Sequence, residues 1–303
     1  MNKIIYLTRD HLNTDRYNRC ISEATNGLIY AYSDYLDLMS VRWSALVFND
    51  YEAVMPLPWN KKYGVHYIYN PAFTACLGVF GKNVESQLLK SFLDTIPRKF
   101  RYWDFSLNHG NFFELTGFSL YQRRNFILDL QNSYDSLFSK FNQNVKRNIA
   151  RAQNAGCVPI TDIPVEDVIQ LAGERLNEKT GVKKEDFENF GQLYQLLHAH
   201  GKAKTYGIYH ESRLMASAVF FFSHNRAYYI LVGNHPNSRV IGASHFLINQ
   251  FIKDYSGTNL ILDFEGSDMH NLAFFYSSFG GVEEKYSAIR LNRLPFYLKW
   301  LKK

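Results

Sequence analysis

The chain repeats itself. "LLKSFLD" (88–94) lines up with "LINQFIK" (247–253), which places Leu88, Leu89 and Phe92 on Leu247, Ile248 and Phe251. At the same offset "WDFS" (103–106) falls on "LDFE" (262–265), so Asp104 and Phe105 match Asp263 and Phe264. A slightly larger offset brings "GFSLYQRRNFILDL" (117–130) onto "GGVEEKYSAIRLNR" (280–293). An echo at so long a distance is that of a duplicated domain, not of a solenoid. Each half must then build its own core from the same order of elements, and 303 residues suffice for two average domains.

The hydrophobic pattern reads alike in both halves. In the first, strand runs "SALVFN" and "EAVMPLP" are joined by Asp50-Tyr51, a two-residue hairpin connection. "VHYIYN", a helix "VESQLLKSFLDTI", a strand "RYWDFSL", a short helix near "NFFEL" and a strand "FILDL" follow. In the second, "KTYGIYH" and "RLMASAVFFF" flank the turn Glu211-Ser212. Then come "AYYILVG", the helix "ASHFLINQFIKDYS", the strand "NLILDFEG", the helix "NLAFFYSSF" and the strand "YSAIRLN". Helical stretches precede each hairpin, over about 12–26 in the first half and over 133–154, 165–179 and 185–199 in the second. Hairpins followed by strand–helix–strand units predict an α+β fold. It has two domains, over 1–130 and 131–303, each a mixed, mostly antiparallel sheet flanked by helices.

With 46% hydrophobic residues, 21 Tyr and 24 Phe, the chain buries sizeable cores and is not disordered. No apolar run approaches the ~20 residues of a membrane span. The run after Lys3 is cut off by Arg9 and Asp10, too short for a signal peptide. Cys20, Cys76 and Cys157 have no metal-ligand spacing and read as inert thiols in a reducing cytoplasm. The ten histidines form no metal set, so no metal is expected. A net charge of +6 favours anionic partners only weakly.

"HPNSRVIGASHFL" (235–247) follows the strand run "AYYILVG" and opens the second half's main helix. A helix N-terminus leaves amide N–H groups unpaired and carries partial positive charge. Gly242, Ala243 and Ser244 are small enough for a pyrophosphate to approach the backbone, and Arg239 adds a cation. The alternative is a plain turn in which Gly242 only shapes the backbone. The first half has no Arg-x-x-Gly in the matching place, so any coenzyme is expected in the second half.

These residues resemble the coenzyme A loop of the GNAT superfamily of N-acyltransferases. That loop carries Arg or Gln, two residues, Gly, one residue, then Gly or Ala. Arg239 and Gly242 fit it, and Ser244 stands at the last position. "FEGSDMHNLAFFYSSFGG" (264–281) and the basic stretch "SKFNQNVKRNIARAQNAG" (139–156) resemble the Fem-type subgroup, in which two GNAT-like domains are fused and which includes the bacterial peptidoglycan bridge aminoacyltransferases. The resemblance implies transfer from acyl-coenzyme A to an amine acceptor in a cleft between domains. A strand amide near Val232 would polarise the donor carbonyl. Asn271 resembles the Asn that opens the following helix, and Tyr276 would protonate the leaving thiolate. The Fem enzymes that use aminoacyl-tRNA often carry a long helical arm, and this sequence has no heptad pair of that length.

Glu265 ends the run "LILDFEG", where ligands of open sheets gather, and is a candidate for accepting the amine proton. Ser106 replaces it in the first half, whereas Asp104 repeats Asp263 and suggests that the Asp is structural. In the helix from Ser133 onward, Lys140, Asn144, Arg147 and Arg151 share one face, with no acid between Asp135 and Asp162. This face is expected to hold an anionic substrate, or tRNA. Three readings stand open: an acyl-coenzyme A-dependent N-acyltransferase, an aminoacyl-tRNA-dependent transferase acting on a cell-wall precursor, and a non-catalytic ligand-binding protein of the same fold. No DNA partner is expected. Arg239→Glu with Gly242→Asp is expected to abolish coenzyme A binding while the fold survives.

Overall fold

The computed structural model describes residues 3–176, 181–266 and 268–294. In chain order the elements begin with β1 (Ile4–Thr8), α1 (Thr14–Glu23), α2 (Ser33–Met39), β2 (Trp43–Phe48), β3 (Ala53–Lys62) and β4 (Val65–Tyr69). Then come β5 (Phe80–Gly81), α3 (Ser86–Thr95), β6 (Phe100–Ser106) and β7 (Leu120–Asp129). The second half adds α4 (Tyr134–Ser139), α5 (Gln143–Asn154), β8 (Val158–Thr161), α6 (Val165–Leu176), α7 (Lys184–Ala199), β9 (Ala203–His210), β10 (Arg213–Ser223) and β11 (Arg226–Asn234). It ends with α8 (Ser238–Ile241), α9 (Ala243–Tyr255), β12 (Ile261–Asp263), α10 (His270–Ser277) and β13 (Val282–Asn292).

The chain forms two compact units, residues 1–123 with 285–303, and residues 124–284. Within the first, strands pair in the order β1-β2-β3-β4-β6-β13; within the second, β8-β9-β10-β11-β12-β7. The sense of each pairing repeats as well. Three antiparallel contacts are followed by one parallel contact, β4 with β6 or β11 with β12, and then by an antiparallel sixth strand. The duplication read from the sequence is therefore a duplication of topology.

The sixth strands are exchanged. β13, from the second half of the chain, completes the first unit, and β7, from the first half, completes the second. The register makes the two equivalent: Asp104 faces Arg290, and its counterpart Asp263 faces Ile127. A linear cut at 130/131 separates each sixth strand from the sheet it completes, whereas the compact units divide at 123/124 and 284/285.

Several local features differ from the sequence reading. The β2–β3 connection spans residues 49–52, since Phe48 pairs with Ala53, and Asn49 and Tyr51 take positive φ. Glu211-Ser212 is a two-residue turn with both φ positive, the type whose twist matches that of the flanking strands. Near "NFFEL" there is only a 3-10 turn at His109–Asn111. The stretch from Ser133 to Asn154 is two helices. Asn142 restarts the chain as α5 by accepting a hydrogen bond from Val145 N at 2.9 Å. The helix expected over 165–179 begins at Val165, and 177–179 lie outside the described residues.

Each unit has its own core. In the first, Leu46, Met55, Leu57, Leu89, Phe92 and Phe100 are fully covered. In the second, Phe251, the counterpart of Phe92, stacks on Phe220 with ring centroids 3.9 Å apart. Each such side chain contributes about 1.5–3 kcal/mol by leaving water, which locks α3 and α9 onto their sheets and fixes where α9 begins.

Candidate active site

β11 and β12 run parallel only from Arg226–Tyr228 against Ile261–Asp263. β12 stops there, so the strand expected through Glu265 ends two residues early. β11 continues to Asn234, held by β10 on one side through Asn234 against Ala216. On its other side, among the described residues, no strand pairs with residues 229–234. A cleft of about 900 Å³ opens along that edge.

Its walls come from five elements of the second unit. β11 supplies Tyr229, Val232 and Asn234; α8 supplies Ser238 and Arg239; the first turn of α9 supplies Ser244 and His245. α5 supplies Asn144, Asn148 and Arg151, and α10 supplies Asn271, Phe275 and Tyr276 among others. Among the described residues no carboxylate lines this cleft, and its two guanidinium groups give it a positive bias. The Ser244 hydroxyl donates to Asn234 Oδ1 at 2.6 Å and ties the start of α9 to the end of β11. Arg151 donates to Val240 O and Asn148 Oδ1 at 3.2 and 3.3 Å, which joins α5 to α8. Arg239 is exposed and, among the described residues, in no ion pair.

Of the residues singled out in the sequence, Val232, Arg239, Ser244, Asn271, Tyr276 and Arg151 meet at this cleft. Gly242 and Ala243 do not reach it. Both are buried, and Gly242 is at once the C-cap of α8 and the N-cap of α9, with φ 78°. Its amide is engaged by Ser238 O. The Asn148 backbone lies so close that a Cβ built on Gly242 would overlap that carbonyl oxygen and sit 2.9 Å from its carbon. The expectation that Gly242→Asp spares the fold is therefore corrected: an added side chain has no room. A pyrophosphate can meet α9 only from Ser244 onward. Lys140 and Arg147 are exposed and off the cleft wall, because Lys140 caps α4 and the helix break removes it from the α5 face.

Glu265 also lies off the wall, in a left-handed turn with φ 64°. The residue is partly exposed, yet burial pushes its carboxyl up to about 8. Tyr276 is raised by burial first and then by Glu265, so the two groups are electrostatic neighbours. The Tyr276 ring stacks on Phe264 at 4.7 Å and is 7% exposed, so this tyrosine is a core residue whose edge faces the cleft. Asp263 is held by Arg226 at 2.6 Å, with both side chains buried. Asp104 accepts from Arg290 at 3.2 Å in the first unit, so the repeated Asp has a structural ion pair in both halves.

His245 carries more weight than its scattered look in the sequence suggested. Burial, with Arg151 adding to it, lowers its imidazole to about 4, and the ring packs edge-on against Phe275 at 4.9 Å. It is therefore a neutral hydrogen-bonding group in the cleft at ordinary pH. Nothing in its local sequence signals this, since the aromatic wall comes from α10.

Residues 139–270 match the family model of an acetyltransferase (GNAT) domain. This segment carries a GNAT-type acetyltransferase domain. The matched segment carries α5, β11, the α8–α9 junction and Glu265. The fold of the whole chain is similar to those of tandem-domain structures. It is similar to the crystal structure of FemX, with a TM-score of 0.65, 13% identity and 99% of each chain covered. The tandem GNAT protein from the clavulanic acid biosynthesis pathway is similar with a TM-score of 0.54 and 9% identity, over 97% of this chain and 99% of that one. So is the C-terminal domain of a putative lysylphosphatidylglycerol synthetase from Agrobacterium fabrum, with a TM-score of 0.57 and 9% identity, over 93% of this chain and 92% of that one. No curated protein matches the chain.

Proposed function

We propose that the protein moves an acyl group from acyl-coenzyme A to an amine in the cleft of the second unit. The observation that carries this reading is the edge of β11 at Val232, which no strand pairs among the described residues and which is open to an extended, amide-bearing arm, with Arg239 exposed beside it. Backbone N–H and C=O groups on such an edge seek partners, and the amides of the coenzyme arm supply them. The pyrophosphate lies against Arg239 and the opening turn of α9 at Ser244. Asn271 lines the opposite wall. Arg151, with Arg147 and Lys140 further out, favours an acceptor that bears negative charge. An acyl-coenzyme A donor implies a cytoplasmic site of action.

In the reaction the amine nitrogen attacks the thioester carbon and the C–S bond breaks. The amine proton passes through water to the ionised form of Glu265, which lies off the cleft wall, and Tyr276, kept protonated by its raised pKa, donates its proton to the departing sulfur. Glu265 then returns a proton to Tyr276, and the net result is an amide and a thiol. Titration calorimetry with coenzyme A tests the donor assignment. Arg239→Glu is expected to weaken binding by about tenfold or more, the effect of losing one charge-assisted contact. Undiminished binding sinks the assignment.

A second reading rests on α5, where Lys146, Arg147 and Arg151 follow one another without an acid. An aminoacyl-tRNA donor would make binding fall steeply with salt, with a slope reduced in Arg147→Ala and Arg151→Ala. A cell-wall precursor is then the acceptor.

A further inference from the structure

The two halves part company where the chemistry is assigned. In the first unit β6 runs straight through Ser106, which pairs with Ala288 of the exchanged strand β13. The equivalent register in the second unit would pair Glu265 with Asn125 of the exchanged strand β7, since Asp263 faces Ile127. That pair does not form. The ladder ends with Phe264, whose N–H still donates to Phe126 O at 3.0 Å, and Glu265 adopts φ 64°, a conformation costly for a residue with a side chain.

The Asn125 side chain replaces the missing ladder. Its Oδ1 accepts from Gly266 N at 2.6 Å and from Phe126 N at 2.8 Å. Its Nδ2 donates to Asp263 Oδ1 at 2.9 Å and to Glu284 Oε2 at 3.3 Å. Asp263 Oδ1 in turn accepts from Glu265 N at 2.9 Å. The amides on both sides of the strained residue are thereby fixed, one by Asp263 and one by Asn125. Arg226 anchors the cluster by bonding Asp263 at 2.6 Å and Glu284 at 2.9 Å. Asn125, Asp263 and Arg226 are 8%, 5% and 7% exposed, so the clamp is shielded from competing water. The matching positions of the first unit hold Ala288 and Ser106, which have neither the clamp nor the acid.

We infer that Asn125 is a positioning residue that holds Glu265 in its left-handed turn beside Tyr276, so that the strand exchanged from the first half of the chain completes the site of the second. This rests on the proposed role of Glu265. The titratable group shown to interact with that carboxyl is Tyr276 on α10, and the charged members of the clamp are Asp263 on β12, Arg226 on β11 and Glu284 on β13; none of them is altered in the test.

Two measurements on the intact 303-residue chain separate this inference from the functional reading beneath it. The first is the titration of the Glu265 carboxyl by difference infrared spectroscopy, with Glu265→Gln identifying the band; it requires no substrate. In Asn125→Ala the apparent pKa is expected to fall from near 8 toward the ordinary carboxylate value, as the released turn lets water reach the group. An unchanged titration overturns the inference. The second is the pH–rate profile of acyl transfer. Asn125→Ala is expected to lower kcat by about 10- to 100-fold with the donor KM little changed, the cost of a misplaced catalytic group. In a Glu265→Gln background the same substitution is expected to have no further effect on kcat. An equal loss in both backgrounds means a merely structural role and overturns the inference. If Glu265→Gln itself keeps full activity, the role assigned to Glu265 fails, while the infrared titration still decides whether Asn125 positions it. Asn125→Ser retains an oxygen acceptor and provides the same two readouts should Asn125→Ala not fold; partial retention of the raised titration is expected, and full retention counts against the clamp.

Discussion

The backbone carbonyl of Asn148, in the middle of α5, rests against the α-carbon of Gly242 at the start of α9. Two constraints meet at this glycine. Its φ of 78° lies in the left-handed region, and the space where a Cβ would stand is already filled. Gly242→Ala is expected to destabilise the protein by ~3 kcal/mol, since the backbone term alone costs ~1–2 kcal/mol and the overlap adds to it. Chemical denaturation monitored by circular dichroism measures this, and a midpoint equal to that of the parent would contradict the packing. Substitutions at Gly242 therefore report on folding before they report on coenzyme binding, which is why Arg239 is the better probe.

Glu265 predicts a pH dependence of stability with a definite sign. Its carboxyl titrates near 8 in the folded protein against an ordinary value of 4.5. A raised acid keeps its proton better folded than unfolded, so its contribution is fully present below 4.5. It is lost as pH climbs through that window toward 8. A sealed carboxyl with such a shift would lose ~5 kcal/mol; Glu265 is partly exposed, so about 2 kcal/mol is the realistic expectation. Glu265→Gln cannot ionise. Its melting temperature relative to the parent is expected to rise between about pH 5 and pH 8.5, and a constant difference across that range would rule out the perturbed carboxyl.

The exchanged strands predict which fragments fold. A fragment of residues 120–284 contains β7 and every other strand of the second unit, together with the whole of its hydrophobic core cluster. It is expected to unfold cooperatively. The fragment 131–303, cut where the sequence alone suggests, lacks β7 and leaves β12 with an open edge above an incomplete core. Exposed edges and missing core strands favour aggregation, so this fragment is expected to be insoluble or molten. Equal cooperativity of the two fragments in thermal unfolding would refute the exchange.

Much of this architecture was legible in the residues. Apolar residues two apart mark β9, β10 and β11, and the match of Leu88, Leu89 and Phe92 with Leu247, Ile248 and Phe251 marks α3 and α9 as equivalents. Burial explains the success, because these are the side chains that leave water in each core. The Asp repeated at 104 and 263 was readable for the same reason: each sits at a fixed place in a duplicated sheet and finds an arginine there. The break at Asn142 was less legible. A helix start set by one capping bond competes with an apolar stripe that runs on through it, and only the bond to Val145 decides the matter.

The sequence by itself determined that the chain is two copies of one α+β pattern, because periodicity and duplication depend on which side chains must be buried, and that is written locally. It also determined that Arg239, Ser244, Asn271 and Tyr276 would belong to one half. Only the tertiary structure decided that the last strand of each half serves the other sheet, that Gly242 is sealed behind α5, and that Asn125 stands where Glu265 would have paired. These depend on register and close approach between segments far apart in the chain. Such contacts are selected by the free energy of the whole packed unit rather than by any stretch of residues.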